Sequence, residues 1–197
     1  MINKEEINWN EFRKINFSII DKDLSLKGIN LNPGTMGTTS KKVLEAIESA
    51  CNNSDNPLKV YADGRNKLID ARKKIKILFP LDDFEVAVGG STTYWCHSIA
   101  NSLISLLSIN NCKKIKLVTS KHEHHGAIRS FNNNPMFEVF YINDSLINNE
   151  KEFELCIKKI KPDICFFSQI TWDKFERIPV NMLFLLSKKY FPKIINI

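Results

Sequence analysis

Three short segments concentrate the residue types that bind small ligands. The first is Gly89-Gly90-Ser91-Thr92-Thr93, set between an apolar run and a long apolar stretch. Glycines let the backbone come close to a ligand. The first amides of a following helix, with the positive end of its dipole, attract an anion. The Ser and Thr hydroxyls add donors. The spacing is neither G-x-G-x-x-G nor a Walker loop, so dinucleotide and nucleoside-triphosphate readings lose their main support. A tight turn closed by a Ser/Thr cap accounts for the same residues. The second segment is Lys121-His122-Glu123-His124-His125-Gly126. Three histidines and a carboxylate suggest a metal. Rings at i, i+2 and i+3 of a loop converge poorly, however, and the H-E-x-x-H helix spacing is absent. A solvated histidine loop and a ring that packs on a planar ligand are the other two readings, and no metal ligand is assigned. The third segment is Phe166-Phe167-Ser168-Gln169-Ile170-Thr171-Trp172, an apolar run that ends in polar groups.

These segments need a scaffold, and the surrounding pattern predicts one. Ser40 can cap a helix whose Val43, Leu44, Ile47 and Ala50 share a face. A polar break over 52–57 and a second helix over 66–79 follow, the latter stopped by Pro80. Residues 84–88 read as a strand, and 93–107 as a helix that is apolar nearly all round and therefore buried. Strands are expected at 115–119, 137–142, 164–167 and 194–197, alternating with helices at 126–131, 150–160 and 180–190. Short apolar strands separated by helices imply a three-layer α/β/α fold with a mostly parallel sheet. Ligands in such folds bind beyond the carboxyl ends of strands. All three segments are expected there, behind strands centred near 86, 117 and 166. Residues 1–39 read as an irregular arm with a turn at Asn32-Pro33-Gly34, and 40–197 as the domain proper.

Composition narrows the class. The chain has 197 residues, 43% hydrophobic and 25% charged, as expected of a globular domain. Its net charge of +6 comes from scattered lysines. The densest basic cluster, Arg72-Lys73-Lys74-Ile75-Lys76, reads as a solvated helix face, and no basic–aromatic interleaving suggests a nucleic-acid partner. Cys51, Cys96, Cys112, Cys156 and Cys165 form no C-x-x-C pair, so free thiols are expected, with neither a disulfide framework nor a zinc site. The charged start reads as no signal peptide and the longest apolar runs are too short for a bilayer, so a cytoplasmic protein without a membrane partner is expected.

Gly90-Ser91-Thr92-Thr93, Glu123-His124-His125 and Ser168-Gln169 occur in the order and rough spacing of the class V aminotransferases. The chain resembles the amino-terminal part of that family of pyridoxal-phosphate (PLP) enzymes, which includes cysteine desulfurases and isopenicillin-N-epimerase-like proteins. Leu31-Asn32-Pro33-Gly34-Thr35-Met36-Gly37, with Val43-Leu44-Glu45-Ala46-Ile47, is also similar to the family's start. The resemblance covers about residues 30–197. It implies the large-domain fold of a PLP-dependent transferase, PLP as cofactor, and a small amino acid as substrate. It further implies that Ser91, Thr92 and Thr93 hold the PLP phosphate. His124 would stack on the pyridine ring, and Gln169 would bond the phenolic oxygen. Tyr94 and Trp95 depart from the family, which carries Glu and a small residue there. The family's pyridinium-binding Asp and Schiff-base lysine follow the strand matching 194–197, so neither is assigned and no catalytic residue is named. The expectation is a truncated or split product, working as a homodimer or with a complementing carboxy-terminal chain. The alternative is a non-catalytic binding module that keeps the fold.

Overall fold

Alternating apolar residues with a period of two need a partner strand before they become a sheet. The second half of the chain supplies such partners. In this computed structural model, residues 8–17, 39–53, 56–79, 81, 83–108 and 113–197 are described. The chain divides into two compact units, Met1–Val88 and Gly89–Ile197.

The first unit is helical: α1 is Trp9–Asn16, α2 Lys41–Asn52 and α3 Pro57–Leu78. The arm expected to be irregular thus contains a helix. The Asn32-Pro33-Gly34 turn and the Leu31–Gly37 motif lie outside the described residues. Ser40 stands at the N-cap of α2 without a side-chain capping bond. Helix α3 begins at Pro57 rather than near residue 66. Asn56 caps it by accepting the Lys59 amide at 3.2 Å, and proline is well suited to a first turn. The strand expected at 84–88 does not form. Phe84 is 63% exposed, and no ladder includes the segment among the described residues. Alternation alone cannot hold a strand without a neighbour.

The second unit holds helix α4 at Thr92–Ser108, strand β1 at Ile115–Ser120, helix α5 at His125–Asn132 and strand β2 at Phe137–Ile142. A single turn α6 (Asp144–Ile147), helix α7 (Glu150–Ile160), strand β3 (Ile164–Phe166), helix α8 (Val180–Tyr190) and strand β4 (Ile195–Asn196) complete it. The four strands are parallel in the order β2-β1-β3-β4. Alternate residues feed two cores. Ile115, Leu117, Ile164 and Phe166 meet Ala100 and Leu103 of α4 and Ile128 and Phe131 of α5. Val118 and Cys165 meet Phe153 and Ile157 of α7 and Leu183 and Leu186 of α8. Helices therefore cover both faces of a parallel sheet, giving the α/β/α layering. Helix α4, expected to be buried all round, is not. Cys96, Ala100 and Leu103 are buried, but Leu106 is 70% and Tyr94 55% exposed, so only one face meets the core.

Candidate functional site

Helix α4 opens on Ser91. Its hydroxyl oxygen accepts the Tyr94 amide at 3.2 Å and its carbonyl accepts the Trp95 amide at 3.0 Å. The amides of Thr92 and Thr93 carry no hydrogen bond among the described residues. Trp95 explains the glycine before it. A Cβ on Gly89 would lie 2.6 Å from the Trp95 indole, so the large residue found where the family carries a small one fits because Gly89 has no side chain.

Helix α5 opens on His124, whose Nδ1 accepts the Gly126 amide at 3.0 Å and so caps the helix. With Nδ1 an acceptor, the ring proton sits on Nε2. The two helix starts meet at Gly126: a Cβ there would lie 2.7 Å from Thr93 Oγ1 and 3.1 Å from His124 Nδ1. His125 stacks on His124 at 4.3 Å between ring centroids, and Trp172 stands edge-on to both at 5.7 and 5.9 Å. Near the end of β1, the Thr119 hydroxyl oxygen is buried with no hydrogen-bond partner among the described residues.

Glu123 is only 5% exposed. Its carboxylate accepts the Ser168 amide at 2.8 Å and the Ser168 hydroxyl at 2.5 Å, joining the ends of β1 and β3. Burial pushes the Glu123 carboxyl above its ordinary range, and the two Ser168 bonds oppose that rise. Cys96 of α4 is also pushed up, first by burial and then by the Glu123 charge. Burial lifts Cys165 to about 11, so this thiol stays protonated and inert. Cys51, Cys96, Cys156 and Cys165 are all free thiols, and Cys112 lies outside the described residues.

The structure brings Ser91, Thr92, Thr93 and His124 to neighbouring helix starts. Gln169 follows the carboxyl end of β3, the strand paired with β1. It is exposed, its carbonyl accepts the Ile178 amide at 2.9 Å, and it borders a cleft of about 520 Å³ with Asn148, Arg177 and Met182. His122 turns to another cluster. Its Nδ1 lies 2.7 Å from Asp173 and its Nε2 3.1 Å from Asp144, which Lys174 also holds at 2.6 Å. Among the described residues no group of His, Cys, Asp or Glu is arranged to hold a metal ion. The sequence reading named neither the Glu123–Ser168 pair nor the His122 cluster. Their partners are 45 and 51 residues apart, and no local spacing signals them.

No family model matches the sequence, and no curated protein does. Among solved structures, one described as a NIFS-like protein is similar to it, with a TM-score of 0.57 at 14% identity. The match covers 70% of this chain and 38% of that one, so this chain spans well under half of the solved protein. At that identity the likeness is one of fold. Among the described residues no helix is long and apolar enough to cross a membrane.

Proposed function

We propose that residues 89–197 carry the phosphate- and ring-contacting face of a PLP-dependent protein of class V aminotransferase type, acting on an amino acid. The observation that carries this reading is the meeting of two helix starts at Gly126, with Thr93 on one side and His124 on the other. The residues fit the cofactor. A phosphate dianion needs several donors and positive potential, which the free Thr92 and Thr93 amides, three hydroxyls and the α4 dipole offer. A planar ring needs an aromatic wall, which exposed His124 offers, braced by its own capping bond and by His125. When bound, PLP supplies the electron sink for amino-acid chemistry, while the protein binds and orients it. In this reading Ser91, Thr92 and Thr93 hold the phosphate, His124 bears on the ring, and the Gln169 carboxamide donates to the phenolic oxygen. Transamination, desulfuration and epimerisation are the reaction types that this face serves.

4′-Deoxypyridoxine 5′-phosphate, which lacks the aldehyde and cannot label lysines, is the probe. Replacing Ser91 and Thr93 together by Ala should weaken its binding about tenfold in a fluorescence titration. Affinity for phosphate-free pyridoxine should not change. His124→Ala should weaken the phosphate probe more than His122→Ala does. Equal affinity of wild type and the double variant, or equal loss in the two histidine variants, would overturn the reading.

A further inference from the structure

We infer that Glu123 is a positioning residue that sets His124 and Gln169 relative to one another. The inference deepens the ring-binding reading and rests on it for the roles of those two residues. Its basis is a bond that ties the neighbours of both. Glu123 precedes His124 in the chain and Ser168 precedes Gln169. The Glu123 carboxylate takes the Ser168 amide at 2.8 Å and the Ser168 hydroxyl at 2.5 Å.

The ends of β1 and β3 are already in register, with Thr119 opposite Phe166. Both strands then stop, and the chain runs on in loops toward the two candidate contacts. There the backbone joins the two loops through one long bond, the Trp172 amide to the His122 carbonyl at 3.5 Å, and His122 also pairs with Asp173 at 2.7 Å. Directly beside His124 and Gln169 the two-point carboxylate bond adds a tighter restraint, because a bidentate contact to one residue's amide and hydroxyl restrains both distance and twist. Burial at 5% exposure keeps water from competing for it. A buried carboxylate facing only neutral donors is costly to keep for stability alone. Its value lies in the geometry that it fixes.

The test uses the full chain and three variants. Glu123→Gln keeps an acceptor for the Ser168 amide and offers a donor to the hydroxyl. Ser168→Ala removes one of the two bonds, and Glu123→Ala removes both. Isotope-edited NMR of the ligand-free protein follows the His124 ring and the Gln169 side-chain amide, and a thermal melt follows stability. Glu123→Ala should move both signals, Ser168→Ala should move them less, and Glu123→Gln should restore them. Binding of 4′-deoxypyridoxine 5′-phosphate should fall about tenfold in Glu123→Ala and stay within about threefold in Glu123→Gln. Lowered stability with both signals unmoved would overturn the inference and leave Glu123 a purely structural residue. Should Glu123→Ala fail to fold, Ser168→Ala decides: movement of both signals supports the inference, and movement of neither overturns it. A wild-type chain that ignores the probe while Glu123→Ala still moves both signals would sink the cofactor reading and leave the positioning role standing.

Discussion

His122 and Glu123 are consecutive residues that solve the same problem in opposite ways. Each holds the loop after β1 to a distant part of the chain through a carboxylate. At His122 the carboxylates are Asp144 and Asp173, 39% and 36% exposed, and Lys174 adds an ammonium group. At Glu123 the carboxylate is buried and, among the described residues, its hydrogen bonds come from the neutral donors of Ser168. The titration directions differ accordingly. The Lys174 hydrogen bond, with help from His122, holds Asp144 below the ordinary aspartate range, and the His122 bond does the same for Asp173. Burial drives Glu123 the other way. Hydrogen bonds set the direction at the two solvent-reached aspartates, whereas at Glu123 burial outweighs the two Ser168 bonds.

The largest expected effect follows from the buried side of this contrast. Glu123→Ala removes two hydrogen bonds and strands the Ser168 amide, which should cost about 1–3 kcal/mol in a denaturant or thermal melt. His122→Ala should cost less, because Asp144, Asp173 and Lys174 keep their water and each other. A His122→Ala loss as large as that of Glu123→Ala would break the comparison.

Acid titration should sharpen it next. Glu123 has a folded pKa above its ordinary 4.5, so between the two values the folded chain binds more protons than the unfolded one. Stability contributed by this group therefore falls as pH rises through that window. Asp144 and Asp173 lie below their ordinary 3.8 when folded. Their contribution is present above 3.8 and is lost as pH falls through the folded values. The stability of Glu123→Gln relative to wild type should therefore rise from acid toward neutrality. A variant with Asp144→Asn and Asp173→Asn should lose the steep acid limb instead. Parallel pH–stability curves for the two variants would show that the clusters do not differ as described.

The contrast also marks where sequence reading reached and where it stopped. The bounds of β2, α7 and α8 match the pattern, because each pairs its periodicity with nearby polar or proline punctuation: Asn149 caps α7, and Pro179 precedes α8. The parallel sheet was legible for the same reason. The start of α3 was misjudged by reading the polar run before it as a break, although Asn56-Pro57 is a cap followed by a first-turn proline. The 84–88 strand was misjudged because alternation says nothing about whether a partner exists. The short α6 was too brief to show a period. Residue types and chain order single out Ser91, Thr92, Thr93 and His124, which the fold sets at two neighbouring helix starts. The roles of Glu123 and Ser168 were not legible. They depend on β1 and β3 lying side by side, which brings together residues that are 45 positions apart.

The smallest effect concerns salt. The screening length falls from about 10 Å at 0.1 M to about 3 Å at 1 M, and it governs charges that water and ions can reach. The His122 cluster meets that condition, since its aspartates are more than a third exposed and Lys174 is 41% exposed. Added ions compete directly for both carboxylates and for the ammonium group. The Glu123–Ser168 pair does not meet it. It contains one charge at most, buried at 5% exposure, and its partner groups are neutral. Raising sodium chloride should therefore shrink the stability difference between wild type and His122→Ala. The difference between wild type and Glu123→Ala should hold constant over the same range. The measurement needs only melts of three proteins at several salt concentrations, with each variant compared to wild type at the same salt so that general salt effects cancel. A Glu123→Ala difference that shrinks in step with that of His122→Ala would mean that ions reach the carboxylate. Glu123 would then belong to the solvated charge network, and its burial could not be what separates it from its neighbour.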